Sequence, residues 1–306
     1  MNTPARPPSA APPGRGAALR DAVASAPLDI VGAPFALAAK LVEREGFGAV
    51  YLSGAAFSAG TLGVPDIGLF TLDQLVEQTR VIARGVTIPL VVDADTGFGG
   101  PREVEECVRR LEEAGAAAIQ LEDQESAEKR CGHLAGKRLV PAEEMCEKLA
   151  AAAAGRRDPA TVIIGRSDAR GVTDLADCLR RLRAYREAGA DWLFPEALAS
   201  RDEFRAVGRE FAAVEAPLLA NMTEFGVSPL IPLDDLAALG FAAALHPVTL
   251  LRVAMKAMEA ALGMLADEGT QENLLDLMQT RAELYDLLDY DPSRPQDWLD
   301  RFARPR

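Results

Sequence analysis

No apolar run in the 306 residues approaches the roughly 18 needed to cross a bilayer, so the chain is not read as a transmembrane protein. Positive charge is scarce: 33 Lys and Arg stand against 46 Asp and Glu, a formal net charge of −13. That balance argues against nucleic acid or an anionic membrane as the partner, because both recruit clustered cations. Paired cysteines are missing too. Cys107, Cys131, Cys146 and Cys178 show no C-x-x-C spacing, which excludes a disulfide framework and a zinc cage and suits a reducing, cytoplasmic setting. The opening MNTPARPPSAAPPGRG lacks the apolar stretch of a secretory signal, and residues 1–16 are expected to be a disordered lead-in without chemistry. Residues 17–306 are expected to form one domain.

What is present is an ordinary globular mix, 49% hydrophobic and 26% charged, in a chain long enough to bury a large core. Four segments repeat one shape, an amphipathic helix, a Gly, then a short apolar run: 41–53, 109–123, 184–196 and 236–247. The Gly closes a helix in a left-handed conformation and the apolar run reads as a buried strand. IPLVVDAD (88–95) and APLLANM (216–222) are strands introduced by proline, and LDIVGAPF (28–35) and TVIIGRSDA (161–169) complete eight. Parallel strands alternating with crossover helices predict an α/β fold, a (β/α)8 barrel, with a doubly wound open sheet as the alternative. Stretches 249–269 and 271–290 have helical periodicity beyond the needs of one barrel helix, so their apolar faces call for a partner such as another subunit.

Nearly every predicted strand ends on a polar group: Ser53, Asp93 and Asp95, Glu122, Arg166, Glu196 and Asn221. In a barrel these tips converge on one mouth, where such folds keep their chemistry. Asp93 and Asp95, at i and i+2 of a strand, share a face. With Glu122 and Asp123 they form an oxygen-rich cluster that favours Mg²⁺ or Mn²⁺ over zinc; a solvated acidic loop is the plainer reading. EKRCGHLAGKR (128–138) sets Cys131 beside Lys129, Arg130 and His133, and neighbouring cations are expected to lower the thiol pKa. The other three cysteines read as small core residues. Arg166, Arg252 and Arg281 are candidate carboxylate forks, and the small residues of SGAAFSAGTLGVPD (53–66) would let backbone N–H groups approach an anion.

YLSGAA (51–56), GVPDIG (63–68), DADTGFG (93–99), LEDQ (121–124), KRCGH (129–133), GRSDA (165–169), FPEA (194–197), NMTEFG (221–226) and MQTRAELY (278–285) follow one another along nearly the whole chain. In that combination the sequence resembles the isocitrate lyase/phosphoenolpyruvate mutase superfamily, with KRCGH and NMTEFG the most specific pairing. The resemblance implies a (β/α)8 barrel whose last helix is exchanged with a neighbouring subunit, in a dimer or tetramer. It implies Mg²⁺, with Mn²⁺ as a substitute, on Asp93 and Asp95 with Glu122 in the outer shell. Ser53, Gly54 and Ala55, aided by Arg166, would contact a pyruvate half of the substrate. Cys131 and Gly132 would ride a gating loop, with Cys131 the general acid and Lys129 and His133 beside it. Glu196, Asn221, Met222, Thr223, Arg252 and Arg281 would bind a succinate half. Tyr51 or a metal-bound water would take the hydroxyl proton. Ala55, where some relatives carry Gly, and Gly165 with Ser167, where Ala and Thr are commoner, are departures of small expected effect.

The activity implied is cleavage of a small tricarboxylate, 2-methylisocitrate, to pyruvate and succinate during propionate breakdown. Decarboxylation of oxaloacetate, cleavage of 2,3-dimethylmalate and carbon–phosphorus rearrangement share the same enolate chemistry and stay open, as does a catalytically silent binding protein on the same barrel.

Overall fold

The computed structural model describes residues 14–303, so most of the expected lead-in, 1–13, lies outside the described residues. Arg15 and Gly16, placed in that lead-in from sequence, already belong to a helix, α1 (Arg15–Ser25). Eight strands follow among the described residues: β1 (Leu28–Gly32), β2 (Ala49–Leu52), β3 (Leu90–Asp93), β4 (Ala118–Glu122), β5 (Val162–Ser167), β6 (Trp192–Pro195), β7 (Leu219–Asn221) and β8 (Ala243–His246). All pair in parallel in the order β6-β5-β4-β3-β2-β1-β8-β7, and a bridge between Leu193 and Leu218 joins β6 to the approach of β7. The sheet is therefore a nearly closed barrel, and the open doubly wound alternative is set aside.

Between the strands run α2 (Ala36–Arg44), the short α3 (Gly54–Ala56), α4 (Leu72–Gly85), α5 (Pro101–Ala114), α6 (Ala142–Gly155), α7 (Leu175–Glu187), α8 (Arg201–Phe211) and α9 (Leu233–Ala238). The sequence dictates them locally. In α5, Pro101 occupies the first turn, Val104, Cys107, Val108, Leu111 and Ala114 form the buried stripe, and Gly115 closes the helix at φ +106°. A reciprocal Thr71–Gln74 capping box opens α4.

Strand alternation sorts the residues into two cores. Ala49 and Tyr51, Val91, Ala118, Val162 and Ile164, Trp192 and Phe194, Leu219, and Ala243 and Leu245 fill the barrel lumen. Their neighbours, among them Val50, Leu52, Val92 and Ile163, pack outward against the helices. Continuing the lumen parity upward reaches Ser53, Asp93, Gln120 and Glu122, Arg166, Glu196 and Asn221, so a period of two delivers the polar tips to one mouth. At the other end Leu19 of α1 plugs the lumen. Gly16 lies so close to the turn before β5 that a Cβ would stand 2.4 Å from Ala160 O, and Arg20 Nε donates to that same oxygen at 2.8 Å.

After β8 comes α10 (Thr249–Glu268), which buries none of its residues; Val253, Met255, Met258 and Leu262 are all more than half exposed. The helical stretch expected over 271–290 is broken. A 3₁₀ turn (Glu272–Leu277) ends, and a Thr280–Glu283 capping box starts a separate α11 (Arg281–Leu287), followed by α12 (Pro295–Ala303). No helix among the described residues is long and apolar enough to cross a membrane.

Candidate active site

The mouth is organised around Asp93. Its Oδ2 accepts the Gly54 N–H at 3.1 Å, and its Oδ1 accepts from Gln120 Nε2 at 3.0 Å and from Asp95 N at 3.1 Å. Gln120 is in turn fixed by Tyr51, whose hydroxyl donates to Oε1 at 2.5 Å. Burial raises the Tyr51 pKa well above its ordinary value, and Asp93 adds to the effect. A phenol that is donating and hard to ionise positions Gln120 better than it accepts a proton, which speaks against the base role considered from sequence. Gln120 was not singled out from sequence; its signal was lumen parity, two residues before Glu122.

Asp95 lies just past β3 in a run of left-handed backbone, Asp95 φ +50°, Gly97 φ +87° and Phe98 φ +64°, which turns its carboxylate back over the strand ends. Its Oδ1 is buried and makes no hydrogen bond, only an ion-pair contact of 2.7 Å with Lys129 Nζ. A Cβ on Gly54 would stand 3.0 Å from that oxygen and 3.2 Å from Asp93 Oδ2, so glycine keeps the cradle between the carboxylates open. Burial pushes the Asp95 carboxyl up to about 7; Lys129 opposes this and Asp93 and Asp66 reinforce it. Two buried carboxylates short of positive charge fit a hard divalent cation. Among the described residues no group of three or more His, Cys, Asp or Glu forms a cage, so an ion here would rest on Asp93 and Asp95 with other oxygen donors.

The rest of the acidic cluster divides. Glu122 accepts from Gln124 Nε2 at 2.9 Å and lies 3.4 Å from Arg166 Nε. Asp123, grouped with the metal carboxylates from sequence, has the opposite strand parity and points into the wall. There it accepts from Ser167 Oγ, Asp168 N and Tyr185 Oη at 2.7–2.8 Å. Arg166 is buried, stacked over Phe194 at 5.2 Å and forked onto Asp168 at 2.9 and 3.0 Å. Asp168 was part of the quoted GRSDA motif but had been given no role.

The segment carrying Cys131 lies over this mouth. Lys129, on one side, contacts Asp66 and Asp95. Gly132, on the other, sits so tightly that a Cβ would stand 2.0 Å from Glu196 Oε1 and 2.3 Å from Arg166 Nη2. Lys137 fastens the far end, donating to Gly132 O and, at 2.6 Å, to Asp168. The expectation of a lowered thiol pKa is overturned. Burial raises it, Asp66 adds to this, and Arg166 only partly opposes it. The adjacent cations are committed elsewhere, Lys129 to carboxylates and Arg130 to the Ala135 carbonyl at 3.5 Å. Cys107 and Cys178 are buried, each pushed up to about 12, and all four thiols are free.

His133, Glu196 and Asn221 meet across the mouth: Asn221 Nδ2 lies 3.2 Å from both Glu196 oxygens, and His133 Nε2 lies 3.3 Å from Oε1. Thr223 N donates to Asn221 Oδ1 at 3.1 Å. Ser53 caps α3 by accepting from Ala56 N at 3.3 Å. Beside the mouth a cavity of about 940 Å³ is lined by Ala55, Asp66, Glu224, Phe225, Thr249 and Arg252 among others. Two expected contacts are not brought in. Met222 has outward parity and is buried in the wall, its sulfur accepting from Ile231 N at 3.3 Å. Arg281 is exposed at the start of α11 and makes no hydrogen bond or ion pair with the mouth among the described residues.

Comparison with known proteins agrees with this geometry. The family model described as phosphoenolpyruvate phosphomutase matches residues 25–266. The 2-methylisocitrate lyase of Aeropyrum pernix is 49% identical over 272 residues, covering 88% of this chain and 86% of the relative. The crystal structure of 2,3-dimethylmalate lyase, a member of the PEP mutase/isocitrate lyase superfamily, superposes with a TM-score of 0.86 at 32% identity, covering 95% of this chain and 96% of the other. Phosphonopyruvate hydrolase, solved as a complex with oxalate and Mg²⁺, gives 0.82 at 30% identity, over 95% and 100% of the two chains.

Proposed function

The chain belongs to the PEP mutase/isocitrate lyase superfamily, and from that premise we propose that it is a Mg²⁺-dependent lyase that cleaves 2-methylisocitrate to pyruvate and succinate. The observation that carries the reading is the seating of the Cys131 segment, tied on one side to Asp95 through Lys129 and resting on the other, at Gly132, against Arg166 and Glu196.

Asp93 and Asp95 would hold the ion, with Glu122 behind them. When bound, it would act as a Lewis acid that stabilises negative charge on the substrate's hydroxyl and carboxylate oxygens. The chain's own groups do the rest. Tyr51 and Gln120 hold Asp93 in place. The backbone around Ser53, Gly54 and Ala55, with Arg166, orients the pyruvate half. As the C2–C3 bond breaks, its electron pair moves to the departing succinate carbon while the C2 hydroxyl passes its proton to a water molecule in the mouth and becomes the ketone of pyruvate. Glu196, Asn221, Thr223 and Arg252 face the carboxylates of the succinate half. Cys131, whose raised pKa keeps it protonated at neutral pH, delivers the proton that quenches the carbanion.

The same reading takes the chain as one catalytic domain that works as a homo-oligomer, dimer or tetramer, with helix exchange. The exposed apolar face of α10 supports it, as does a groove of about 400 Å³ beside β1 and β8, lined by Val31, Leu41, Val42, Phe47 and Leu250. A role in propionate breakdown in the cytoplasm follows from the substrate and the free thiols.

The test is product formation from 2-methylisocitrate, isocitrate, 2,3-dimethylmalate and oxaloacetate, each with Mg²⁺ and with EDTA. The highest kcat/KM is expected for 2-methylisocitrate, silenced by chelation and restored by Mg²⁺. A higher value for another acid, or full activity in chelator, overturns the assignment.

A further inference from the structure

Both ring nitrogens of His133 are engaged. Nδ1 accepts the Val227 N–H at 2.9 Å, while Nε2 lies 3.3 Å from Glu196 Oε1 and 3.4 Å from Asn221 Nδ2. An accepting Nδ1 leaves the ring proton on Nε2, where it donates to Glu196. Burial lowers the ring's pKa; Arg166 and Lys137 push the same way, against Glu196 and Asp168. A neutral ring with both nitrogens occupied is poorly suited to exchange protons with a substrate.

The facing backbone is shaped to receive it. A Cβ on Gly226 would stand 2.5 Å from His133 Nδ1 and 2.9 Å from Cγ and Cε1, and the backbone there is not left-handed. The three atoms such a Cβ would meet first all belong to the imidazole. The segment it grips reaches further: Glu224 accepts from the Thr249 hydroxyl and lies 3.5 Å from Arg252 Nε, and Arg252 stacks on Phe225 at 5.5 Å. Within the β7–α9 loop, Glu224 and Phe225 are thus fastened to α10 and the neighbouring Val227 to the segment bearing Cys131.

We propose that His133 is a positioning residue, a clasp whose ring ties the Cys131 segment to the backbone of residues 226 and 227, so that the thiol seats over the mouth only when the β7–α9 loop is in place. What the seated thiol does rests on the function proposed above; the clasp itself does not.

Hydrogen–deuterium exchange on the ligand-free full chain tests it, with Gly226→Ala, His133→Ala, His133→Asn and the double Ala variant. In Gly226→Ala, amides of 129–137 should exchange roughly three- to tenfold faster although the change lies in the other loop. In His133→Ala, 223–228 should loosen likewise. His133→Asn, whose carbonyl can accept from Val227, should fall between, and the double variant should match His133→Ala alone. Strands β4 and β5 should stay protected throughout, which separates unclasping from unfolding. With 2-methylisocitrate, Gly226→Ala should lower kcat about tenfold. Unchanged exchange over 129–137 in Gly226→Ala, or additive effects in the double variant, would overturn the clasp. A wild type inactive on 2-methylisocitrate would sink the lyase assignment and leave the exchange data to decide the clasp.

Discussion

Cys131 keeps its proton because it is largely shut off from water and faces Asp66, and Arg166 does not compensate. The sign of its pH effect follows. A general acid works while protonated, so with the pKa raised above its ordinary 9.0 the rate should hold through neutral and mildly alkaline pH and fall only beyond that. A pH profile of kcat that declines at or below pH 9 with a thiol-linked pKa would contradict the environment described here. Tyr51 makes the complementary case. If it only steadies Gln120 and Asp93, Tyr51→Phe should cost about tenfold in kcat and weaken Mg²⁺ binding measured by calorimetry; a loss of roughly 10⁴ with unchanged Mg²⁺ affinity would restore it as the base. Neither environment was legible in the sequence. Adjacent cations along an irregular segment point in different directions, so the KRC run says little about the field at the sulfur. The pKa of the buried phenol depends on Asp93, 42 positions away, and its hydrogen bond on Gln120, 69 positions away.

At the scale of elements much more was readable. Short apolar runs, six of them preceded by a helix-closing Gly such as Gly115 or led in by Pro, marked all eight strands, because burial on both faces leaves no room for polar alternation. The polar tips at the ends of those runs were found for the same reason. Parity within them was harder to use: Asp123 and Met222 each sit one residue from a true mouth residue and face the other way. The plug α1 went unnoticed, since its pattern RGAALRDAVAS carries almost no amphipathic signal and its value lies in Leu19 entering the lumen. The Cys131 segment yields the element-scale prediction. Gly132→Ala forces a methyl into the space held by Glu196 and Arg166, so the segment cannot seat. A loss of at least ~10² in kcat is expected, with thermal stability near wild type because the barrel is untouched. Near-normal kcat would mean that seating is not required.

The whole molecule is a barrel plugged at one end, chemically armed at the other, and carrying an eighth helix that does not pack down on it. A 20-residue α10 with no buried residue leaves an apolar face that a second copy would cover. Leu262→Glu, at a position 69% exposed, should therefore reduce the oligomer seen by light scattering without unfolding the barrel; an unchanged mass would reject exchange through this helix. Arg281 marks the reach of sequence reasoning at this scale. Motif order placed it in the site, but α10 carries the following segment away from its own mouth. The claim on which the rest depends is that one thiol, seated over a two-carboxylate metal cradle, delivers the proton. Its most direct test is pyruvate release from 2-methylisocitrate by wild type and Cys131→Ser at saturating Mg²⁺. In Cys131→Ser kcat should be lower by about 10³ or more, with Mg²⁺ and pyruvate affinities within about twofold; turnover close to wild type would contradict a proton delivered by this thiol.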